Sequence, residues 1–238
     1  MNPLGSARLR DLRLAPLRCP GCGPSLLLRL GGDEMLVRCL RCRATPVHMA
    51  LLGALDACGI DLARTDAYEL STTGAVLRHL RQRCRSVATS EYLDGVAPGS
   101  ERDGVRCEDV QRLSFADGSF DLCTSTEVFE HVPDDLAGLR ELHRVLRPGG
   151  RLLFTVPMSD AATTQVRARI VDGRIEHILP PAYHGDRLNG PESVLVYRDY
   201  GLDLVDRVRA AGFAEARLWR PARSHFGHAR TVLVAARG

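Results

Sequence analysis

Apolar and polar positions along the chain change period several times, and the changes divide it into elements. The densest pattern lies at 114–157. Phe120-Asp121-Leu122-Cys123 alternates and then gives way to the small polar run Thr124-Ser125-Thr126. That pattern predicts a buried strand whose C-terminal end opens onto a site. Pro133, Asp134 and Asp135 follow, and acid in a first turn suits the positive N-terminal end of a helix dipole. Leu136, Leu139, Leu142 and Val145 then recur at helical spacing, so the helix has one apolar face. Arg147-Pro148-Gly149-Gly150 ends it, and 151–157 (RLLFTVP) is the next buried strand. Strand, crossover helix and strand within about forty residues make a parallel βαβ unit. Ligands in such sheets sit beyond the carboxyl ends of the strands, here Ser125 to His131 and Pro157 to Met158.

The same patterns continue on both sides. Ala67 to Leu70 is a strand, Ser71-Thr72-Thr73-Gly74 a turn, and Ala75 to Arg83 a helix. Ser86 to Tyr92 and Val105 to Val110 are two further strands. The glycine-rich linker between them is short, so a crossover helix there is reduced or missing. A helix over Leu202 to Ala211 closes at Gly212, and 213–219 and 231–237 form two last strands. The pattern alone gives an α/β fold with a ligand crevice.

The cysteines change this picture at the N-terminus. Cys19-Pro-Gly-Cys22 and Cys39-Leu-Arg-Cys42 are two C-x2-C knuckles with sixteen residues between them. That spacing fits a structural zinc ribbon, in which four thiolates close a tetrahedron. Ser25 to Val37 reads as a hairpin turning at Gly31-Gly32, and His48 as a residue at the module's border. Cys58, Cys84, Cys107 and Cys123 have no ligand-like spacing and read as core. The expected organisation is a tail (1–16), a zinc ribbon (17–48), a linker helix (49–66) and a main domain (67–238) with a lid at 159–201.

Composition adds little. The 32 basic residues are all arginine, and the formal net charge is +3. No basic, aromatic-interleaved surface calls for a nucleic-acid partner. No apolar run is long enough to span a membrane and the first residues carry no apolar leader, so a cytoplasmic protein is expected. The oligomeric state is not encoded in any pattern.

The phrase running from Ala116-Asp117-Gly118-Ser119-Phe120-Asp121-Leu122 through Glu127-Val128-Phe129-Glu130-His131-Val132-Pro133 to 144–157 (RVLRPGGRLLFTVP) closely resembles class I S-adenosylmethionine-dependent methyltransferases of the type 11 kind. The resemblance covers 67–238. It implies a Rossmann-like, seven-stranded, mostly parallel sheet with helices on both faces and an antiparallel last strand. It also implies S-adenosylmethionine as cofactor. Glu69 and Gly74 match the family's acidic and glycine loop, while Ser71 and Thr73 stand where it has glycines. Glu91 falls where the family holds the ribose hydroxyls. Asp109, with Val110 beside it, falls where the family contacts the adenine, and Thr126, Glu127 and Phe129 line the methionine side.

Methyl transfer needs donor and acceptor held in line and one proton managed. His131 is one candidate base. The segment at 159–201 is longer than a minimal connection and rich in polar groups, as lids are. Within it His184 and Asp186 are further candidate bases, and Tyr183 and Arg198 candidate substrate contacts. The expected acceptor is a small or carbohydrate-like molecule with a nucleophilic oxygen or nitrogen. An RNA- or protein-modifying enzyme using the ribbon for recognition, and a non-catalytic binding protein, are the competing readings.

Overall fold

The computed structural model describes residues 11–186 and 190–238; the first ten residues of the expected tail, and the side chains of Asp186, Pro191 and Glu192, lie outside the described residues. A three-stranded antiparallel sheet comes first: β1 (Arg13–Cys19), β2 (Gly23–Arg29) and β3 (Val37–Cys39). The first knuckle is the β1–β2 turn. β2 reaches β3 through Gly31-Gly32 and a short 3-10 turn at Glu34–Leu36. Helix α1 (Pro46–Ala57) leads to β4 (Asp66–Glu69), α2 (Ala75–Arg83) and β5 (Ser86–Thr89). The two-residue strands β6 (Glu101–Arg102) and β7 (Val105–Arg106) pair with each other. Then come β8 (Phe120–Thr126), α3 (Asp135–Val145) and β9 (Leu146–Thr155). The long insertion carries β10 (Gln165–Val166), β11 (Ala168–Val171), β12 (Arg174–His177), β13 (Tyr183–Asp186), β14 (Gly190–Leu195) and β15 (Arg198–Asp199). Helix α4 (Leu204–Ala210), β16 (Glu215–Trp219) and β17 (Val232–Ala236) finish the chain.

The main sheet has six strands in the order β16-β17-β9-β8-β4-β5. β5, β4, β8 and β9 are mutually parallel, and β17 is antiparallel to both its neighbours. The expectation of seven strands is corrected. The segment foreseen as the third strand, Val105 to Val110, touches the sheet only through a parallel bridge between Glu91 and Cys107. Its first residues pair with β6 instead, and no helix occupies the short linker before it.

Alternation along each strand assigns the two faces. Ala67, Leu122, Leu153, Val232 and Val234 pack with Leu51, Leu52 and Leu55 of α1 and Val76 and Leu80 of α2. Tyr68, Cys123, Leu152, Phe154, Leu233 and Ala235 face the other way, onto Leu139 and Leu142 of α3 and Leu204 and Val208 of α4. Helix α1, foreseen as a linker, thus covers one face of the main sheet. Cys107 and Cys123 are core, as expected. No helix among the described residues is long and apolar enough to cross a membrane.

Helix α3 begins as the acidic run predicts. Asp134 is its N-cap and accepts from the Ala137 amide at 3.0 Å. Asp135 is 2 % exposed. It accepts from Arg207 Nη2 at 2.6 Å and from the Tyr200 hydroxyl at 3.0 Å, which ties the start of α3 to α4 and to the end of the insertion. Breaking a buried ion pair from one side leaves the remaining partners uncompensated. Asp135→Ala is therefore expected to lower the unfolding free energy by about 3 kcal/mol or more in urea denaturation. A change below about 1 kcal/mol would show that solvent reaches the pair and screens it.

Candidate functional site

The parallel strands end at one edge, and the groups foreseen as functional gather there. Glu69, the last residue of β4, is 1 % exposed and accepts a hydrogen bond from the Thr124 hydroxyl of β8. Burial raises its pKa to about 8, with the Thr124 bond opposing. Its role is beneath the loop that follows. In that loop the Ser71 hydroxyl donates to the Thr73 carbonyl at 3.2 Å. Gly74 has φ +112 and is the N-cap of α2, so the backbone turns there in a conformation that an L side chain rarely adopts. The first-turn amides of α2 follow this turn directly, at the helix end whose dipole is positive.

Glu91 closes this loop from the side. Its Oε1 accepts from the Thr72 amide at 2.9 Å and from the Thr72 hydroxyl at 2.7 Å. Oε2 accepts nothing from the described residues. Asp109 lies two residues after Cys107, which bridges to Glu91, and its Oδ1 accepts from the Gln111 amide at 2.9 Å and from Gln111 Nε2 at 3.0 Å. Val110 packs towards the core: a Cβ placed on Gly138 of α3 would meet it at 3.3 Å and Phe129 at 3.2 Å. The loop, Glu91, Asp109 and Val110 therefore share one edge of the sheet.

On the other side of β8, Glu127 follows the strand with φ 54, a left-handed conformation for a residue with a side chain. Burial, then the neighbouring Glu130, raises its pKa to about 7, and Arg230 opposes. Arg230 Nη2 lies 3.1 Å from Glu127 Oε2 and also bonds Glu34 of the ribbon sheet. Glu130 is 1 % exposed, and neither carboxylate oxygen has a hydrogen-bond partner among the described residues. His131 Nε2 lies 3.6 Å and His184 Nδ1 3.7 Å from Glu130 Oε1. His131 and His184 thus meet, as the sequence reading allows. Tyr183, on the same strand as His184, is exposed.

Arg198 is placed differently. It is 4 % exposed, and its guanidinium donates to the carbonyls of Phe129, Val132 and Pro133. Those three bonds hold the turn that presents Glu130 and His131, so Arg198 supports the site from inside the fold. The Asp186 side chain lies outside the described residues. Arg230, Glu34 and Thr72 were not foreseen, because charged or hydroxylic residues in loops carry no periodic signal. Glu130 stood within the quoted motif but was masked by its histidine neighbour.

The two knuckles converge as their spacing predicts. The four sulfur atoms of Cys19, Cys22, Cys39 and Cys42 all lie within 4.8 Å of one another. Cys19 and Cys42 are 3.6 Å apart, and Cys22 and Cys39 are 3.5 Å apart. His48 is not among them: its Nδ1 accepts from the Thr45 amide at 3.2 Å and caps α1. Burial lowers its pKa to about 4, helped by Arg78 and Arg38, so the ring is neutral. The ribbon is bolted to α2 by Arg78, which donates to the Cys42 carbonyl at 2.7 Å, and by His79, whose Nδ1 is 3.3 Å from the Gly21 carbonyl.

Comparison with known proteins follows this geometry. The 1,6-didemethyltoxoflavin-N1-methyltransferase of Burkholderia thailandensis, crystallised with 1,6-didemethyltoxoflavin and S-adenosylhomocysteine, superposes with a TM-score of 0.52 at 19 % identity, over 81 % of this chain and 78 % of that one. An S-adenosylmethionine-dependent methyltransferase from Mesorhizobium loti superposes with a TM-score of 0.53 at 18 % identity, over 79 % and 98 %. The fold is that of S-adenosylmethionine-dependent methyltransferases. Residues 70–154 match the methyltransferase-domain family, a span that holds the Gly74 loop, Glu91, Asp109 and the Glu127–His131 turn. A demethylmenaquinone methyltransferase of Mycolicibacterium vanbaalenii is 35 % identical over 144 residues, 56 % of this chain and 60 % of that protein. The chain thus spans well under two thirds of that relative's length. An arsenite methyltransferase of Aquipseudomonas alcaligenes is 44 % identical over 66 residues, 28 % and 19 % of the two chains.

Glu91 fixes Thr72 and stands where the resemblance puts the ribose hydroxyls, so its removal should loosen the loop and, if the cofactor lies there, weaken the ligand as well. Glu91→Ala is expected to weaken S-adenosylhomocysteine binding by about 1–3 kcal/mol, roughly five- to 150-fold, in isothermal calorimetry. Unchanged affinity would place the ribose elsewhere.

Proposed function

We propose that the chain transfers a methyl group from S-adenosylmethionine to an oxygen or nitrogen of a small or carbohydrate-like acceptor. The observation that carries this reading is the assembly at one sheet edge of the Gly74 turn, Glu91 and Asp109, inside a span that matches the methyltransferase-domain family. The residues present fit the cofactor. The first turn of α2 offers amides for a carboxylate, Glu91 Oε2 an acceptor for ribose hydroxyls, and Asp109 an acceptor for the adenine amino group. Glu69 supports the loop from below through Thr124. The methyl group, once bound there, is supplied in line to a nucleophile on the side of Glu127.

That side carries the groups able to manage the acceptor's proton. His131 and His184 lie beside the buried Glu130, with Tyr183 on the strand above. Asp186, expected to contribute as well, belongs to the same hairpin strand. The insertion that bears them covers the crevice in the manner of a lid, which excludes water and orients the acceptor. The four convergent thiols are the donor set of a structural zinc ion, with no fifth ligand grouped with them among the described residues.

A second reading concerns the acceptor alone. Val166, Ile170, Val171, Ile175 and Ile178 of the insertion are all exposed. Ile170 and Ile175 stand opposite each other on β11 and β12. Exposed apolar side chains on the insertion favour an apolar, ring-bearing acceptor over a sugar, and the relative from Mycolicibacterium vanbaalenii is named for a quinone.

Two measurements test the proposal. Asp109→Ala should weaken S-adenosylmethionine binding by about 1–3 kcal/mol. Absence of binding to the unaltered protein at millimolar ligand would remove the enzymatic reading. Cys39→Ser should release the ribbon metal and destabilise the N-terminal sheet, read by metal analysis and thermal unfolding; full metal content in that variant would exclude a four-thiolate site. A screen scoring methyl transfer to polar against quinone-like acceptors separates the two acceptor readings.

A further inference from the structure

We infer that Glu130, His131 and His184 form a second metal site, one that takes a divalent first-row transition ion at the acceptor end of the crevice and is separate from the cysteine ribbon. Three observations point to it. The first is spacing. Glu130 Oε1, His131 Nε2 and His184 Nδ1 lie within 4.8 Å of one another, with carboxylate-to-nitrogen separations of 3.6 and 3.7 Å. These distances are too long for hydrogen bonds. They are close to the roughly 3.4 Å between two ligands that each lie about 2.1 Å from one ion at a tetrahedral angle.

The second observation is the tautomer. His131 Nδ1 lies 2.8 Å from the carbonyl of Leu195, an oxygen that only accepts, so Nδ1 carries the proton. In its neutral form such a ring presents the lone pair of Nε2 to a carboxylate oxygen 3.6 Å away, an arrangement that either a proton on Nε2 or a metal ion between the two makes favourable. A metal-bound histidine is oriented in this way, by a carbonyl accepting from its other nitrogen. The third is burial. Both oxygens of Glu130 are removed from solvent and meet no donor among the described residues. A buried carboxylate is expensive, and the two imidazoles beside Glu130 offset the cost either as protonated partners or by sharing a coordinated ion with it.

Two imidazoles and one carboxylate suit a transition ion better than magnesium or calcium, which prefer oxygen ligands. Three protein ligands leave positions open, so the site can accept an oxygen of the acceptor. This consequence rests on the methyltransferase reading. With both imidazoles then serving as ligands rather than as bases, a hydroxyl bound to the ion would release its proton to solvent more readily. Its oxygen then forms the bond to the methyl carbon while the carbon–sulfur bond breaks, and the thioether leaves with the electron pair. The site also joins two pieces of chain. Glu130 and His131 follow β8, whereas His184 and the Leu195 carbonyl belong to the β13–β14 hairpin, so the ion would latch the hairpin over the crevice.

Cobalt titration of the metal-depleted full chain tests this, because the two sites have different spectra. The ribbon should give intense thiolate-to-cobalt absorption in the near ultraviolet, and the second site only weak visible bands. Two equivalents are expected. His184→Ala, on an exposed strand, should weaken the second by more than the ~100-fold typical of losing an outer-shell partner and leave the first intact. Glu130→Gln should do the same, and Cys39→Ser should show the reverse pattern. A single equivalent in every form, or a second one that survives both His184→Ala and Glu130→Gln, overturns the inference. S-adenosylhomocysteine calorimetry on the same samples keeps the readings apart. Cofactor binding without a second ion sinks only the metal site, and a second ion without cofactor binding sinks only the methyltransferase reading.

Discussion

The parallel register of β4 between β5 and β8 is the constraint on which the rest of the site depends. Glu69 stands opposite Thr89 on one side and Thr124 on the other, and Leu70 still bonds the Thr124 carbonyl at 3.0 Å. Beyond Leu70, β4 leaves its neighbours and turns into residues 71–74, while β8 stays paired with β9 through Thr126 and Glu91 bridges to Cys107. Residues 71–74, Ser90 and Glu91, and Glu127 all follow the carboxyl ends of these parallel strands. An antiparallel β4 would have sent its loop to the opposite edge and separated it from Glu91. Glu91 reinforces the arrangement by bonding both the amide and the hydroxyl of Thr72. The loop departs from a glycine-rich sequence at Ser71 and Thr73. Here the side chains of Thr72 and Ser71 supply, through Glu91 and the Thr73 carbonyl, the fixing that glycines leave to a ligand.

The ribbon is continuous with this crevice. Cys19, Leu27, Val37 and Cys39 share a cluster with Met49 of α1 and Ala75 of α2, and Ala75 is the residue directly after the Gly74 turn. His48 stands against Gly74 itself: a Cβ there would approach its Nε2 to 3.4 Å. Arg78 and His79, one turn further on, bond ribbon carbonyls. A small sheet whose own core is little more than four sulfurs and a few side chains is thereby held by the larger domain, and it braces α2 in return. Glu34 extends the same contact to the end of β8 through Arg230 and Glu127. A domain of this size has few ways to fix both ends of a cleft at once. The ribbon does so by touching each of them.

Much of this was legible in the sequence, for reasons that differ by element. Helix α2 runs over the predicted residues because Gly74 and the Arg81–Arg83 end mark its limits locally. Helix α3 and its Asp134 cap follow from the acidic start and the apolar stripe, and the knuckles were readable because ligand spacing is a local property. The strand count was not. Val105 to Val110 alternates like a strand, but a strand needs a partner, and the shortened linker leaves only Glu91 and Cys107 in bridging range. Arg198 shows the same limit for a side chain. Its type suits a substrate contact as well as it suits three backbone carbonyls, and only the fold decides which group it meets. Convergence of Glu130, His131 and His184 needs contact across more than fifty positions, which no period encodes.

The electrostatics of the crevice follow from where counter-charge is present and where it is missing. Asp135, equally buried, is met by Arg207 and Tyr200 and has a purely structural role. Glu127 is met on one oxygen only, by Arg230, and its Oε1 has no partner among the described residues. Glu130 has a hydrogen bond on neither, and only His131 and His184 stand near its Oε1. The fold therefore pairs Asp135 fully and leaves Glu127 and Glu130 less completely paired beside the end of β8. A sulfonium is a cation that cannot donate a hydrogen bond, and a metal ion is another. Unpartnered carboxylate oxygens suit either, whereas a donor placed there would compete with both. The partly neutralised pair at Glu127 and Arg230 then sets a boundary: it holds the turn in its left-handed conformation without quenching the field that a cationic ligand would meet.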